Sequence, residues 1–494
     1  VKEGSLRKGL FRETLNWRVF YVTNGNPNGI WSTKGIPAYL FRITGSFIVW
    51  IFSIYYQLKS HRHRPKGNEM NTILIVRVTF FLATWVVMVL TTPLAYACTA
   101  FMMTDGKNVL VGNNEDSKIP YTRVWFIPAE KGRFGRVYFG YDNWSPQGGM
   151  NDQGLFFDYF SVKKLEIKQS REKPQFPGPP TDTMMAKCAT VEDVLQLFSK
   201  YYLEWNPKIQ MFVVDRKGDS AILEGETVVR NRASYQVVTN FRLSKVPEDE
   251  RPCGWEAWSC SQYKKAEKML LETHTPTVAH FRAILKATHR SSYNVIGTTQ
   301  YSNIYDLTNR LVHVYYLHDF DKEINLNLSE ELKKGPHYFD LPSLFGKELK
   351  YDNQVYTHSL PDFSISYPKH YEVIKGTSNE VLLVKNPLSS TPRLGVYVEN
   401  KPKEIHLEDI GQEYFYSKIE KYSTSVKLVY SKQTLLNDGT PGVEILFDNV
   451  VNEYWPLKTL ILSTYRGDKL IYAAITSFEH PEALRDCLYS LRFD

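Results

Sequence analysis

Cysteine is scarce in this chain. Cys98, Cys188, Cys253, Cys260 and Cys487 are the only five in 494 residues, too few for a disulfide-stapled scaffold. Cys253 and Cys260 are close enough in sequence to bridge in an oxidising compartment; buried free thiols are the alternative. No cysteine or histidine run has zinc-ligand spacing, and the histidines, such as His280, His289 and His480, are scattered. Glycine-rich phosphate loops and a G-x-S-x-G elbow are also missing. The sequence therefore implies no metal and no cofactor.

The net positive charge is confined to one end. The net charge is +7, but residues 1–69 hold 11 Lys and Arg against 3 Asp and Glu, leaving a net of −1 for residues 70–494. No nucleic-acid partner follows from that balance. Methionine is absent from residues 1–69, so they read as an upstream segment outside the functional protein, with Met70 as the start. A cytoplasmic extension followed by an uncleaved anchor is the competing reading.

From Met70 the pattern is that of a secretory signal peptide, residues 70–97. Arg77 supplies the positive region, Val78 to Leu90 the apolar core, and Pro93 the helix break. Ala95-Tyr96-Ala97 offers a cleavage site, which would make Cys98 the first residue of the mature protein. It would then carry a thiol and a free α-amine on one carbon. The thiol is a nucleophile, and an amine titrating near ~7.7–8.0 is a base for it. Lipid attachment at Cys98 is the alternative; Ala95 stands where a lipoprotein signal prefers leucine. No later stretch is long and apolar enough to span a membrane, so periplasmic or secreted localisation is expected.

The remaining 397 or so residues are rich in core-forming types and read as α+β. Residues 98–340 form a first domain. Thr99 to Met103 and Val109 to Gly112 read as strands around the Asp105-Gly106 turn, Arg136 to Tyr141 and Leu155 to Phe160 as further strands, and Gly148 to Gly154 as a turn. Pro174 to Pro180 reads as a surface loop. Thr190 to Asp193 has a capping pattern before the apolar face Val191, Val194, Leu195 and Phe198. Strands at Gln210 to Asp215, Ser220 to Glu224 and Val237 to Asn240 precede helices at Ser261 to Leu271 and Thr277 to Thr288. A final hairpin turns at Asn309-Arg310. Residues 341–355 are linker-like. Residues 356–494 contain seven strand patterns and a closing helix.

Four motifs follow the cleavage site in order. They are Cys98-Thr99-Ala100-Phe101, Gly112-Asn113-Asn114-Glu115-Asp116, Gly149-Met150-Asn151-Asp152-Gln153-Gly154-Leu155, and Gln300-Tyr301-Ser302-Asn303-Ile304-Tyr305-Asp306. With the Met211 to Glu224 hairpin and Val238-Thr239-Asn240, they resemble the choloylglycine hydrolase and penicillin V acylase group of N-terminal nucleophile hydrolases. The resemblance covers roughly residues 98–320. It implies a four-layer αββα fold that hydrolyses linear amide C–N bonds, with Cys98 as nucleophile. Asp116 would orient the cysteine, and Asn151 and Asn240 would serve the oxyanion pocket, where one donor placed in advance is worth roughly 2.7–4 kcal/mol. Taken singly, these Asn-Asp and Gly-rich segments are ordinary turns, and Asp116 an ordinary loop carboxylate.

Two positions depart from the family pattern. Arginine is common where this chain has Asn113, and again in a motif aligned with Ser261-Gln262-Tyr263. A nearby cation stabilises a thiolate, so Asn113 and Gln262 imply a less acidic Cys98 and an altered choice of substrate. The C-terminal domain more loosely resembles PsbP-like αβα domains, through Phe363 to Pro368, Asn437 to Glu444 and Ser490 to Phe493. Its partner is unidentified. The expected substrate is a small N-acyl amide, its acyl group met by aromatics around Trp144 and Phe156 to Phe160. The expected products arise through a thioester. Homo-oligomers are compatible with the sequence, as is a rival in which the fold persists as a non-catalytic envelope binding protein or lipoprotein.

Overall fold

The computed structural model describes residues 98–494 apart from 165–172, 203–207, 232, 247–256, 292–296, 349, 375–378, 388–393, 452–454, 478 and 494. The proposed upstream segment, signal peptide and cleavage site all precede the described residues. So does the question of an anchor.

Two antiparallel sheets organise the first domain. In chain order the strands are β1 (Thr99–Thr104), β2 (Val109–Ser117), β3 (Thr122–Ile127), β4 (Arg136–Tyr141), β5 (Pro146–Asn151), β6 (Phe156–Ser161), β7 (Ile209–Val214), β8 (Ser220–Glu224), β9 (Thr227–Arg230), β10 (Tyr235–Thr239), β11 (Thr298–Asp306), β12 (Leu311–Tyr316), β13 (Asp319–Asn327) and β14 (His337–Asp340). One sheet runs β10-β1-β2-β11-β12-β13, the other β14-β3-β4-β5-β6-β7-β8-β9. The main helices are α1 (Pro180–Lys187), α2 (Val191–Ser199), α3 (Ala257–Leu270) and α4 (Val278–Thr288).

Strand alternation sorts the side chains into layers. On β1, Ala100 and Met102 face the second sheet and pack with Val111, Val137, Phe139 and Tyr301. Phe101 and Met103 face the other way, against Tyr263 and Ala266 of α3 and Phe281 and Ile284 of α4. The outer face of the second sheet buries Tyr138, Phe157 and Met211 against Met184 and Met185 of α1 and Val194 and Phe198 of α2. The order is therefore helices, sheet, sheet, helices: a four-layer αββα sandwich. Each fully buried aliphatic or aromatic side chain in these layers contributes about 1.5–3 kcal/mol.

Local signals explain several ends. Thr190 accepts from the Asp193 amide, and Asp193 answers with its own side chain, so the capping pattern starts α2. β2 runs further than the sequence pattern indicates, through Asn113 to Ser117, because β11 pairs along it. Asp116 is therefore a buried strand residue and not a loop carboxylate. Gly148 and Gly149 likewise lie within β5, and only Asp152 to Gly154 turn. A Cβ at Gly149 would lie 2.3 Å from the Val137 carbonyl oxygen, so glycine is needed for strand approach. Pro180 opens α1 instead of closing a loop. Cys260 is disulfide-bonded; Cys253 lies outside the described residues.

The C-terminal domain contains β15 (Asn353–Ser359) and β16 (Asp362–Pro368), which form a hairpin. A seven-stranded sheet follows, built from β17 (Glu372–Ile374), β18 (Glu380–Lys385), β19 (Leu394–Asn400), β20 (Ser425–Leu435), β21 (Pro441–Val451), β22 (Trp455–Arg466) and β23 (Lys469–Ser477). The seven strands legible in the sequence are all present. One sheet face packs on Phe363, Leu488 and Leu491, the other on Ile410 and Phe415, giving an αβα sandwich. Among the described residues, no helix is long and apolar enough to cross a membrane.

Candidate active site

Cys98 immediately precedes β1 and is buried, with its thiol free of any disulfide. Thr99 pairs with Asn114 on one side and Thr239 on the other. Extending both ladders by one residue sets Cys98 opposite Glu115 and Asn240. Cys98 shares its strand face with Ala100 and Met102, so the thiol faces the gap between the sheets. It donates to the Asp116 carbonyl oxygen at 3.9 Å. There the gap opens into a pocket of about 380 Å³, floored by Cys98, Glu115 and Asp116 and walled by Tyr141, Gln147 and Tyr159.

Three carboxyls lie near the thiol, Glu115 and Asp158 on its own side of the sheet and Asp116 on the other. Glu115 accepts from the Tyr141 hydroxyl at 2.9 Å through Oε1, while Oε2 has no hydrogen-bond partner. Burial pushes Glu115 up to about 8, opposed by the Tyr141 hydroxyl and reinforced by the negative charge of Asp116. Asp116 points to the opposite sheet face, where the Thr299 hydroxyl donates to it at 2.5 Å. Burial raises it to about 7, against the pull of Thr299 and the positive charge of Arg290. Asp158, fully buried on β6, is held well above the usual carboxylate range by burial and then by Glu115. The Cys98 thiol is itself pushed well above its ordinary value, first by burial and then by Glu115 and Asp116. At neutral pH the isolated thiol is therefore protonated and needs an adjacent base.

The residues singled out in the sequence divide into groups. Asp116 is beside Cys98, although it meets the thiol through its carbonyl; its carboxyl serves Thr299. Asn240 follows β10, and its Nδ2 donates to the carbonyl of Ser161, a pocket residue, at 2.9 Å. Its Oδ1 is buried without a partner. Asn113 faces the interior and donates to Asp158, so a neutral amide meets that acid. Gln262 is buried on α3, outside the pocket lining.

Asn151 is placed differently from the expectation of an oxyanion donor. It ends β5, on the far side of Gly148 and Gly149 from the pocket residue Gln147. Its Nδ2 donates to the Met185 and Cys188 carbonyls at 2.9 and 2.8 Å. Its Oδ1 accepts from the Gln153 and Leu155 amides at 3.1 and 2.9 Å. Two of the four bonds close the turn and two tie it to the end of α1, and neither amide hydrogen is left for a substrate. The aromatics proposed for an acyl pocket are also mostly core: Phe156 and Phe160 lie between the sheets, and Trp144 and Phe157 pack on the outer face. Tyr159 alone among them lines the pocket.

Sequence reading missed Glu115, Asp158, Tyr141 and Arg290. Glu115 lies inside the Gly112–Asp116 motif, and no local pattern distinguishes it there from Asn114 and Asp116. Arg290 just follows α4, and its amide donates to the Thr299 hydroxyl at 2.7 Å. No local pattern marks it; only the fold brings it to Asp116. The second and fourth motifs explain one another, since β2 and β11 pair with Asn113 opposite Asn303 and Asp116 opposite Thr299. Ser302 donates to Asn114 Oδ1 at 2.6 Å, and Asn114 in turn donates to the Leu285 carbonyl, fastening α4 to the sheet.

No protein-family model matches the chain, and no curated protein sequence matches it. Solved structures do. A penicillin V acylase from Agrobacterium tumefaciens is 17% identical, over 49% of this chain and 92% of its own, with a TM-score of 0.39. A conjugated bile acid hydrolase from Clostridium perfringens is 14% identical over 49% and 96%, also at 0.39. A cyanobacterial PsbP from Synechocystis sp. PCC 6803 is 13% identical over 30% and 95%, at 0.25.

Proposed function

We propose that the chain is an extracytoplasmic amidohydrolase that uses Cys98 as an N-terminal nucleophile and acts on small N-acyl amides. The observation that carries this reading is the position of Cys98: at the start of β1, its thiol on the floor of a pocket, with Glu115 opposite. After cleavage before Cys98, the new α-amine takes the thiol proton and the sulfur attacks the amide carbon. The tetrahedral intermediate collapses to a thioester as the ammonium returns its proton to the leaving amine. Water then hydrolyses the thioester, delivering the acid and restoring the thiol.

The acidic surroundings suit this division of labour. No described residue lining the pocket is basic, so thiolate is not favoured by a cation. Asp116 above about pH 7 and Glu115 above about pH 8 instead add negative charge that favours the ammonium half of a thiolate–ammonium pair. Asn240 supplies the oxyanion donor through its second amide hydrogen. The chemistry requires no metal or cofactor.

The test is a panel of N-acyl amides offered to processed protein, with intact mass confirming Cys98 as the first residue. Cys98→Ala should abolish turnover. A turnover rate unchanged in Cys98→Ala, or mature protein that retains residues before Cys98, would overturn the mechanism.

A further inference from the structure

The turn between β4 and β5 joins two regions that the sequence keeps far apart. Its Tyr141, Ser145, Pro146 and Gln147 wall the pocket, and Tyr141 holds Glu115. Between them, Asp142 points the other way. Its side chain is fully buried, and it accepts from Asn386 Nδ2 at 2.7 Å, His370 Nε2 at 3.1 Å and the Tyr371 hydroxyl at 3.4 Å. All three donors belong to the C-terminal domain.

A buried carboxylate without donors is costly, so Asp142 ties the turn to that domain. The flanks are fixed as well. Arg123 donates to the Asp142 carbonyl at 3.2 Å and to the Tyr351 hydroxyl at 2.9 Å, and its guanidinium lies 4.6 Å from the Trp144 ring centroid. Tyr121 stacks on His370 with centroids 4.4 Å apart. Trp144, at a φ of 58°, packs against His480. A non-glycine residue in that left-handed region is held there by its surroundings.

We propose that the C-terminal domain is a working part of the pocket: Asn386, His370 and Tyr371 clamp Asp142 and thereby position the wall that carries Tyr141 against Glu115 and Cys98. The proposal rests on the Cys98 pocket being the reactive site. It gives the C-terminal domain a role that requires no external partner. Asn386, His370, Tyr371 and Asp142 are positioning residues; none touches the pocket.

The test uses the full processed chain. Asn386→Asp sets a second carboxylate against Asp142, and Tyr371→Phe removes one donor with minimal change of shape. Alkylation of Cys98 by iodoacetamide, located by peptide mapping, is followed well below the melting temperature, beside kcat and KM for any cleaved amide. Glu444→Gln is the control. It breaks a buried ion cluster with Lys432 and Arg485 inside the C-terminal domain, away from Asp142. Asn386→Asp should change Cys98 alkylation at least threefold and raise KM more than it lowers kcat. Tyr371→Phe should move both in the same direction by less, and is the deciding variant if Asn386→Asp does not fold. Glu444→Gln should lower the melting temperature without moving the alkylation rate. Folded clamp variants with wild-type alkylation, kcat and KM would overturn the clamp. So would Glu444→Gln moving alkylation as far as they do. Alkylation is read without turnover, so a chain that cleaves no amide refutes the proposed function while still testing the clamp.

Discussion

Replacing Glu115 by glutamine should change the pH dependence of stability in a specified direction. Its folded-state value is about 8, against an ordinary 4.5, chiefly through burial. The folded protein thus holds this proton more tightly than the unfolded chain. The sign follows: the protonated group's contribution is fully present below pH 4.5 and is lost as pH rises through about 8. At about 1.36 kcal/mol per pK unit, the loss on full ionisation is on the order of 5 kcal/mol. Glutamine keeps the shape and an oxygen for the Tyr141 hydroxyl but carries no charge at any pH. It also relieves Cys98, whose thiol Glu115 pushes upward. Near pH 5, wild type and Glu115→Gln should therefore melt within a degree or two of one another. Near pH 9 the variant should melt several degrees higher. Calorimetry of both proteins at the two pH values is the assay. An equal difference between them at pH 5 and pH 9 would refute the electrostatic account of this site.

Two further substitutions separate scaffold from chemistry. Asn151→Asp loses both donors to the Met185 and Cys188 carbonyls and should cost on the order of 2–3 kcal/mol in urea unfolding; Cys98 alkylation in the folded fraction should stay unchanged. Asn240→Ala removes the proposed oxyanion donor and should lower kcat by about 10²–10³-fold, read in steady-state kinetics on any amide that wild type cleaves, with the melting temperature nearly preserved.

The contrast between these two asparagines shows how far local sequence reaches. Both stand in motifs of the same family resemblance, and both are small amides near turns. What separates them is register. Asn240 follows β10 and lies across from Cys98, whereas Asn151 ends β5 and spends every hydrogen bond on its own turn and α1. Glu115 was hidden for a related reason. The resemblance points to its neighbour Asp116, but strand alternation turns Glu115 toward the thiol and Asp116 toward Thr299. A motif gives the order of residues; which face each occupies depends on how far the strand continues, and β11 decides that for β2.

Sequence alone determined the local elements and the identity of the nucleophile candidate. Alternation, the Thr190 cap and the apolar face of α2 are short-range properties, so many strands of both domains and the helices α2 to α4 could be read from them, whereas β3, β5 and α1 could not. The combination of an apolar run, small residues and Cys98 is equally local. The tertiary structure alone decided the electrostatics of the site and the place of the C-terminal domain. Burial raises Glu115 and Cys98 because two sheets close over them; Asp116 is buried on the other face of β2, where Arg290 reaches it only through the packing of α4. Asp142 finds its donors more than two hundred residues away. Such effects depend on which distant groups exclude water from a charge, and no window of neighbouring residues contains them.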